Sequence, residues 1–236
     1  MEIIIRSLIF YVGMWIFTVP FAFITMFSFF ISPLKRNKFI SIWAKSILFW
    51  LKITCNLSYK VTGIKNIPKQ PCIIFSKHQS AWETLALQEI FPSQVWVLKK
   101  ELLMIPFFGW GLAMTSPIAI NRSSGRKALN QILEQGLDRI NKGFFVVIFP
   151  EGTRTKPKEK RKYHIGGSSL AVYSKRDVIP VAHNAGYYWP KNSLIKKPGE
   201  IKINIGPPIK CQELKANEIN NKAKSWIEKT VLKLNV

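Results

Sequence analysis

The sequence predicts an α/β domain, with a largely buried sheet flanked by helices, behind an N-terminal helical membrane anchor. Three observations predict it. No residue from Ser7 to Leu34 is charged. After Ser58 short apolar runs alternate with segments able to form helices. No internal repeat, long linker or low-complexity tract interrupts that alternation. The chain of 236 residues therefore divides into a membrane-associated helical segment, 1–57, and a domain, 58–236, large enough for a real core.

The anchor comes first. A bilayer core needs about 20 apolar residues in helix, and the charge-free run reaches that. A secretory signal would have a shorter apolar region and more than a lone Arg6 beside Glu2 in its flank. Pro20 could kink the helix or split it into two halves that dip and return, so spanning and re-entrant forms both fit. Lys35, Arg36 and Lys38 follow, which places the rest of the chain on the cytoplasmic side. In the next segment Lys38, Lys45 and Lys52 share a helical face with Ser41, opposite Phe39, Trp43, Ile47, Trp50 and Leu51. The pattern suits an interfacial helix with lysines at headgroups and tryptophans at the boundary, or a helix packed on the domain with solvated lysines.

In the domain, 59–64, 72–75, 95–98, 118–120, 144–149, 178–182 and 201–205 read as strands. Helices are expected at 81–90, 125–140, 166–174 and 213–234. Lys and Arg total 35 against 13 Asp and Glu, a net charge of +22, which predicts attraction to polyanions. Hydrophobic residues at 47% exclude a disordered basic tail. Cys55, Cys72 and Cys211 form no CxxC pair, so neither a zinc site nor a disulfide framework is supported.

Four segments carry chemistry. His78 and Glu83 sit where a buried strand gives way to a helix, the usual place for ligands in open α/β sheets. Five residues apart, they would point about 140° apart on an ideal helix, so they can meet only if His78 stands in the turn before it. A carboxylate there can hold the imidazole in one tautomer and stabilise its cation. Lys77 beside it should favour the neutral, basic ring. Phe149-Pro150-Glu151-Gly152-Thr153-Arg154 follows another apolar strand; Gly152 permits close backbone approach, and Arg154 offers a fork suited to phosphate. Asn121-Arg122 ends a third strand, and Val178–Asn184 is a fourth, where His183 reads as structural. The run Lys156, Lys158, Lys160, Arg161 and Lys162 is either a solvated loop or a contact for substrate or membrane. Ile105–Trp110 reads as ordinary core, with an acyl-chain lining or a lipid-facing surface as alternatives.

Together, over Ser58 to Ile209, these segments resemble the glycerolipid acyltransferase family, specifically its 1-acylglycerol-3-phosphate acyltransferases. That family carries a His-x4-Asp motif, a strand ending in Arg, Phe-Pro-Glu-Gly-Thr-Arg and an apolar Val-Ile-Pro-Val segment, in this order. The resemblance implies a mixed sheet of the glycerol-phosphate acyltransferase type. It implies His78 as general base with Glu83 as its partner. It places Arg122 and Arg154 around the acceptor phosphate, in a pocket shaped by Glu151, Gly152 and Thr153. Glu83 stands where the family usually has Asp, which moves the carboxylate by about 1.5 Å. Lys77 stands where Asn often precedes the His. The implied reaction makes phosphatidic acid by acylating the sn-2 hydroxyl of a lysophospholipid at the cytoplasmic face of a bacterial inner membrane. Its donor would be an acyl thioester of coenzyme A or acyl carrier protein; neither a metal nor another cofactor is expected. Another lyso-lipid or glycerol-3-phosphate is an alternative acceptor. From a different class, a membrane-tethered protein gripping polyanions by charge also fits the composition, but no nucleic-acid motif appears.

Overall fold

A computed structural model describes residues 1–121 and 124–234. Two long helices open the chain, α1 over Glu2–Met26 and α2 over Pro33–Cys55. Pro20 lies inside α1, which continues through it. The pair is antiparallel: Phe21 stacks on Phe39, Trp43 donates its indole N–H to Thr18 at 3.1 Å, and the Cys55 thiol lies 3.7 Å from the Arg6 carbonyl. Gly13 permits this closeness, because a Cβ there would overlap the Trp50 indole. Trp43 and Trp50 thus face α1, and not a lipid boundary as the interfacial expectation required. Ile40, Ala44, Ile47, Leu48 and Leu51 are buried against the domain, with Lys38, Lys45 and Lys52 exposed, so α2 is a packed helix. The outer face of α1 stays apolar and open, with Val12 60%, Trp15 61% and Ile16 64% exposed.

The sheet has seven strands: β1 (Leu57–Thr62), β2 (Ile73–Ser76), β3 (Gln94–Lys99), β4 (Ile118–Ile120), β5 (Phe145–Ile148), β6 (Val178–His183) and β7 (Gly199–Ile205). Their order is β1-β7-β6-β2-β5-β3-β4. From β6 to β4 every neighbouring pair is parallel. The β6–β7 pair is antiparallel, and β7 runs parallel to β1, so the sheet is mixed. Every residue of β2, β5 and β6 is buried, as expected of central strands covered on both faces.

Side chains alternate between two cores. Ile74, Phe145, Val147, Ile179 and Val181 pack with α1, α2 and α3 (Trp82–Ile90). Ile73, Phe75, Val146, Ile148 and Val178 pack with α5 (Arg126–Asn141), α6 (Gly166–Ser174) and α7 (Ala216–Leu234). Between β3 and β4 lies a short helix, α4 (Phe108–Ala113). Ile105, Phe107 and Trp110 around it are 44%, 41% and 43% exposed, which overturns ordinary core as the reading of that stretch. The side chain of Phe108 lies outside the described residues. α4 packs on α1, and Phe107 meets Phe23, so this apolar patch continues the open face of α1.

Candidate active site

The chain leaves β2 toward β3 on one side and leaves β5 toward β6 on the other, crossing β2. Such a reversal opens a crevice at the carboxyl ends of the strands. β2 and β5 are in register there, Phe75 opposite Ile148, which sets Lys77–Ser80 beside Phe149–Thr155.

His78 stands in the turn between β2 and α3, the placement that lets it reach Glu83. Its Nδ1 lies 2.8 Å from Glu83 Oε1. The same oxygen accepts the Gln79 and Ser80 amide N–H groups, each at 2.9 Å. The Ser80 bond is half of a capping box, in which a carboxylate three residues on reaches back to the helix start. That Ser-x-x-Glu spacing was a readable signal for the position of Glu83. Burial pushes the Glu83 carboxyl up; His183, His78 and the Ser80 amide outweigh it and hold the carboxyl below its ordinary range. An ionised Glu83 makes Nδ1 the protonated ring nitrogen, which leaves Nε2 a lone pair. Among the described residues Nε2 has no hydrogen-bond partner.

The backbone around His78 is clamped as firmly as its ring. Glu151 Oε2 accepts the His78 N–H at 2.8 Å. Thr155 donates its N–H to the His78 carbonyl at 2.7 Å, and its hydroxyl lies 3.0 Å from the same oxygen. Phe149 stacks flat on the imidazole, centroids 3.8 Å apart, and Trp96 stacks on Phe149. His183 is fully buried; its Nε2–H donates to the Lys77 carbonyl at 2.8 Å and its Nδ1 accepts the Ala185 N–H at 3.3 Å. Burial pushes its pKa down against the pull of the Glu83 carboxyl, and both ring nitrogens are engaged with backbone, in keeping with the structural role expected of it.

Lys77 differs from its expected role. It is 1% exposed and its ammonium faces Glu151 and Glu228, so its charge is spent on carboxylates and not on the His78 ring. Glu151 is likewise turned inward, both oxygens engaged beneath the turn. Gly152 has φ +71°, and a Cβ there would press on the His164 ring at 3.0 Å, so the turn needs glycine. Gly152 and Thr153 line a cleft of about 460 Å³ with Phe149, Arg161, His164 and Ile132. Arg154 is half-buried, and its carbonyl accepts the Lys191 ammonium at 2.9 Å. Its guanidinium has no carboxylate partner among the described residues. Arg122 lies outside the described residues.

The Acyltransferase family model matches residues 58–184, more than half of the chain. The chain belongs to that family. A 1-acyl-sn-glycerol-3-phosphate acyltransferase of Pseudomonas aeruginosa is 42% identical over 215 residues, 88% of this chain and 84% of that one. The enzyme of the same name from Saccharomyces cerevisiae is 30% identical over 72% of this chain, which spans 57% of its length. In fold, the crystal structure of the 1-acyl-sn-glycerophosphate acyltransferase from Thermotoga maritima superposes with a TM-score of 0.83, at 22% identity over 100% of this chain and 98% of that one. This acyltransferase thus carries its histidine–carboxylate pair, a half-buried imidazole on a buried carboxylate, within the family-matched segment, at the crevice of the sheet.

Proposed function

We propose that the enzyme transfers an acyl group from a thioester to the sn-2 hydroxyl of a 1-acylglycerol-3-phosphate, with His78 as general base. The observation that carries this reading is the His78–Glu83 pair, 2.8 Å apart, with Nε2 left to the substrate. An alcohol is a poor nucleophile until its proton is removed. Nε2 takes that proton as the oxygen attacks the thioester carbonyl, and Glu83 stabilises the imidazolium. The tetrahedral intermediate then breaks its C–S bond, and the leaving thiolate recovers the proton from His78. Arg154, with Arg122, would hold the acceptor phosphate by a charge-assisted fork. Thr153 and Gly152 would line its approach, while Glu151 acts from beneath.

The names of the relatives in Pseudomonas and yeast support the acceptor. The donor would be acyl-coenzyme A or acyl-acyl carrier protein, polyanions suited to the exposed Lys156, Lys158, Lys160 and Lys162. α1 holds an 18-residue window with a mean hydropathy of 1.9, long and apolar enough to enter a membrane, and the positive-inside tendency of Lys35, Arg36 and Lys38 supports a domain on the cytoplasmic side.

The test is turnover of purified protein with an acyl thioester on lysophosphatidate and on a matched monoacylglycerol. The phosphorylated acceptor should be strongly preferred. Arg154→Ala should erase most of that preference, and His78→Ala should lower kcat by roughly 10²–10⁴ on both. Equal turnover of the two acceptors by the unaltered enzyme would overturn the acceptor assignment. Near-normal kcat for His78→Ala would overturn the base.

A further inference from the structure

We infer that Glu228, on the C-terminal helix α7, is a positioning residue for His78, acting through the buried Lys77 ammonium and Glu151. Lys77 Nζ lies 2.5 Å from Glu151 Oε1, 2.9 Å from Glu228 Oε1 and 3.5 Å from the Glu159 carbonyl. Its three N–H donors have three acceptors, so none remains for a substrate. Glu151 sits between: one oxygen takes Lys77, the other takes the His78 N–H at 2.8 Å. Tyr163 closes the far side, donating its hydroxyl to Glu228 Oε1 at 3.1 Å. The side chains of Lys77, Glu151 and Glu228 are 1%, 0% and 14% exposed.

Two carboxyl groups share one ammonium in this cluster, an arrangement that burial tolerates only with good geometry. Burial pushes the Glu151 carboxyl up and Glu228 adds to that; Lys77 and the His78 amide oppose it. Lys77 is held at both ends, its carbonyl by His183 of β6 and its ammonium by α7, which itself packs on β6. The arrangement transmits the seating of α7 to the turn that aims His78. Among the described residues Glu228 bonds Lys77 and Tyr163 and not His78, and it does not line the cleft, so it acts on the base by fixing Lys77 and Glu151.

This inference rests on His78 being the base, and the test separates the two. kcat and KM are measured on lysophosphatidate, well below each melting temperature, for the unaltered enzyme, His78→Ala, Glu228→Gln, Glu228→Asp, Lys77→Met and the Lys77→Met/Glu228→Gln double variant. Val231→Ala is the control: Val231 is buried on α7 one turn beyond Glu228, and its side chain has no polar atom to bond Lys77, Glu151 or Glu228, so it lowers stability without removing an acceptor of Lys77. Glu228→Gln should lower kcat about tenfold with KM unchanged, as loss of orientation does. Glu228→Asp should recover part of that, and Val231→Ala should keep normal kcat. The double variant should be no slower than Lys77→Met alone, because Glu228 acts through Lys77. Normal kcat for Glu228→Gln, an equal loss in Val231→Ala, or multiplying losses in the double variant would each overturn the inference. An inactive unaltered enzyme, or an active His78→Ala, would instead defeat the function proposed above.

Discussion

Glu83 does three jobs with one oxygen: it accepts the His78 ring and the Gln79 and Ser80 amides. Its other oxygen is buried with no hydrogen-bond partner among the described residues, 3.9 Å from His183 Nε2. A side chain so placed cannot be replaced without loss. Glu83→Gln keeps an acceptor but loses the charge that stabilises an imidazolium, so kcat should fall by on the order of 10² or more. Glu83→Asp keeps the charge but falls about 1.5 Å short, so partial activity should remain. Steady-state kinetics of the two variants check this, and equal kcat for Glu83→Gln and the unaltered enzyme would remove Glu83 from the mechanism.

At the level of elements, α1 has two faces with separable roles. Its inner face places Ser7, Phe10 and Ala22 in the interior, so deleting residues 1–34 would open the core as well as remove an anchor. Its outer face can be tested alone. Val12→Lys with Ile16→Lys sets two charges where lipid would lie, and each costs about 2.5–3.5 kcal/mol at a bilayer centre. The double variant should move to the soluble fraction with an unchanged melting temperature; retention with membranes would mean that α1 is not the principal anchor. The inner face is tied down by Lys196, a fully buried ammonium 3.5 Å from the Tyr11 ring centroid and 4.6 Å from that of Trp189, bonded to the Leu194 carbonyl at 2.8 Å. Burial pushes its pKa down to about 7 from an ordinary 10.5. The folded state therefore binds fewer protons than the unfolded chain between those values, and stability rises with pH across that window. Thermal melts from pH 6.5 upward should show Lys196→Met losing ground to the unaltered protein as pH rises. A constant gap would mean the aromatic rings keep the ammonium charged throughout.

For the molecule as a whole, the net charge of +22 and the open apolar face of α1 act on one partner by different physics. Binding to anionic vesicles should weaken as salt rises, because exposed charges are screened beyond about 8 Å at physiological ionic strength. The apolar share should persist at high salt and should be all that zwitterionic vesicles see. Cosedimentation against salt measures both, and a salt-independent profile would deny the basic surface any membrane role. The sequence by itself determined what local patterns encode. Hydrophobic periodicity set most strands and helices to within a few residues, as at Arg126–Asn141 against the expected 125–140, because burial of a strand or a helix face writes its period into the chain; the short α4 had no such signal. The charge-free run marked α1, and the His-x4-Glu spacing confined the pair to one geometry, a histidine in the turn. Other features had no local signature. Whether Trp43 and Trp50 met lipid or α1 depended on an antiparallel packing made close by Gly13, far away in the chain. That Lys77 points inward was decided by Glu151 and Glu228, 74 and 151 residues distant, because a buried cation goes where carboxylates can compensate its lost hydration, and only the folded chain brings them together.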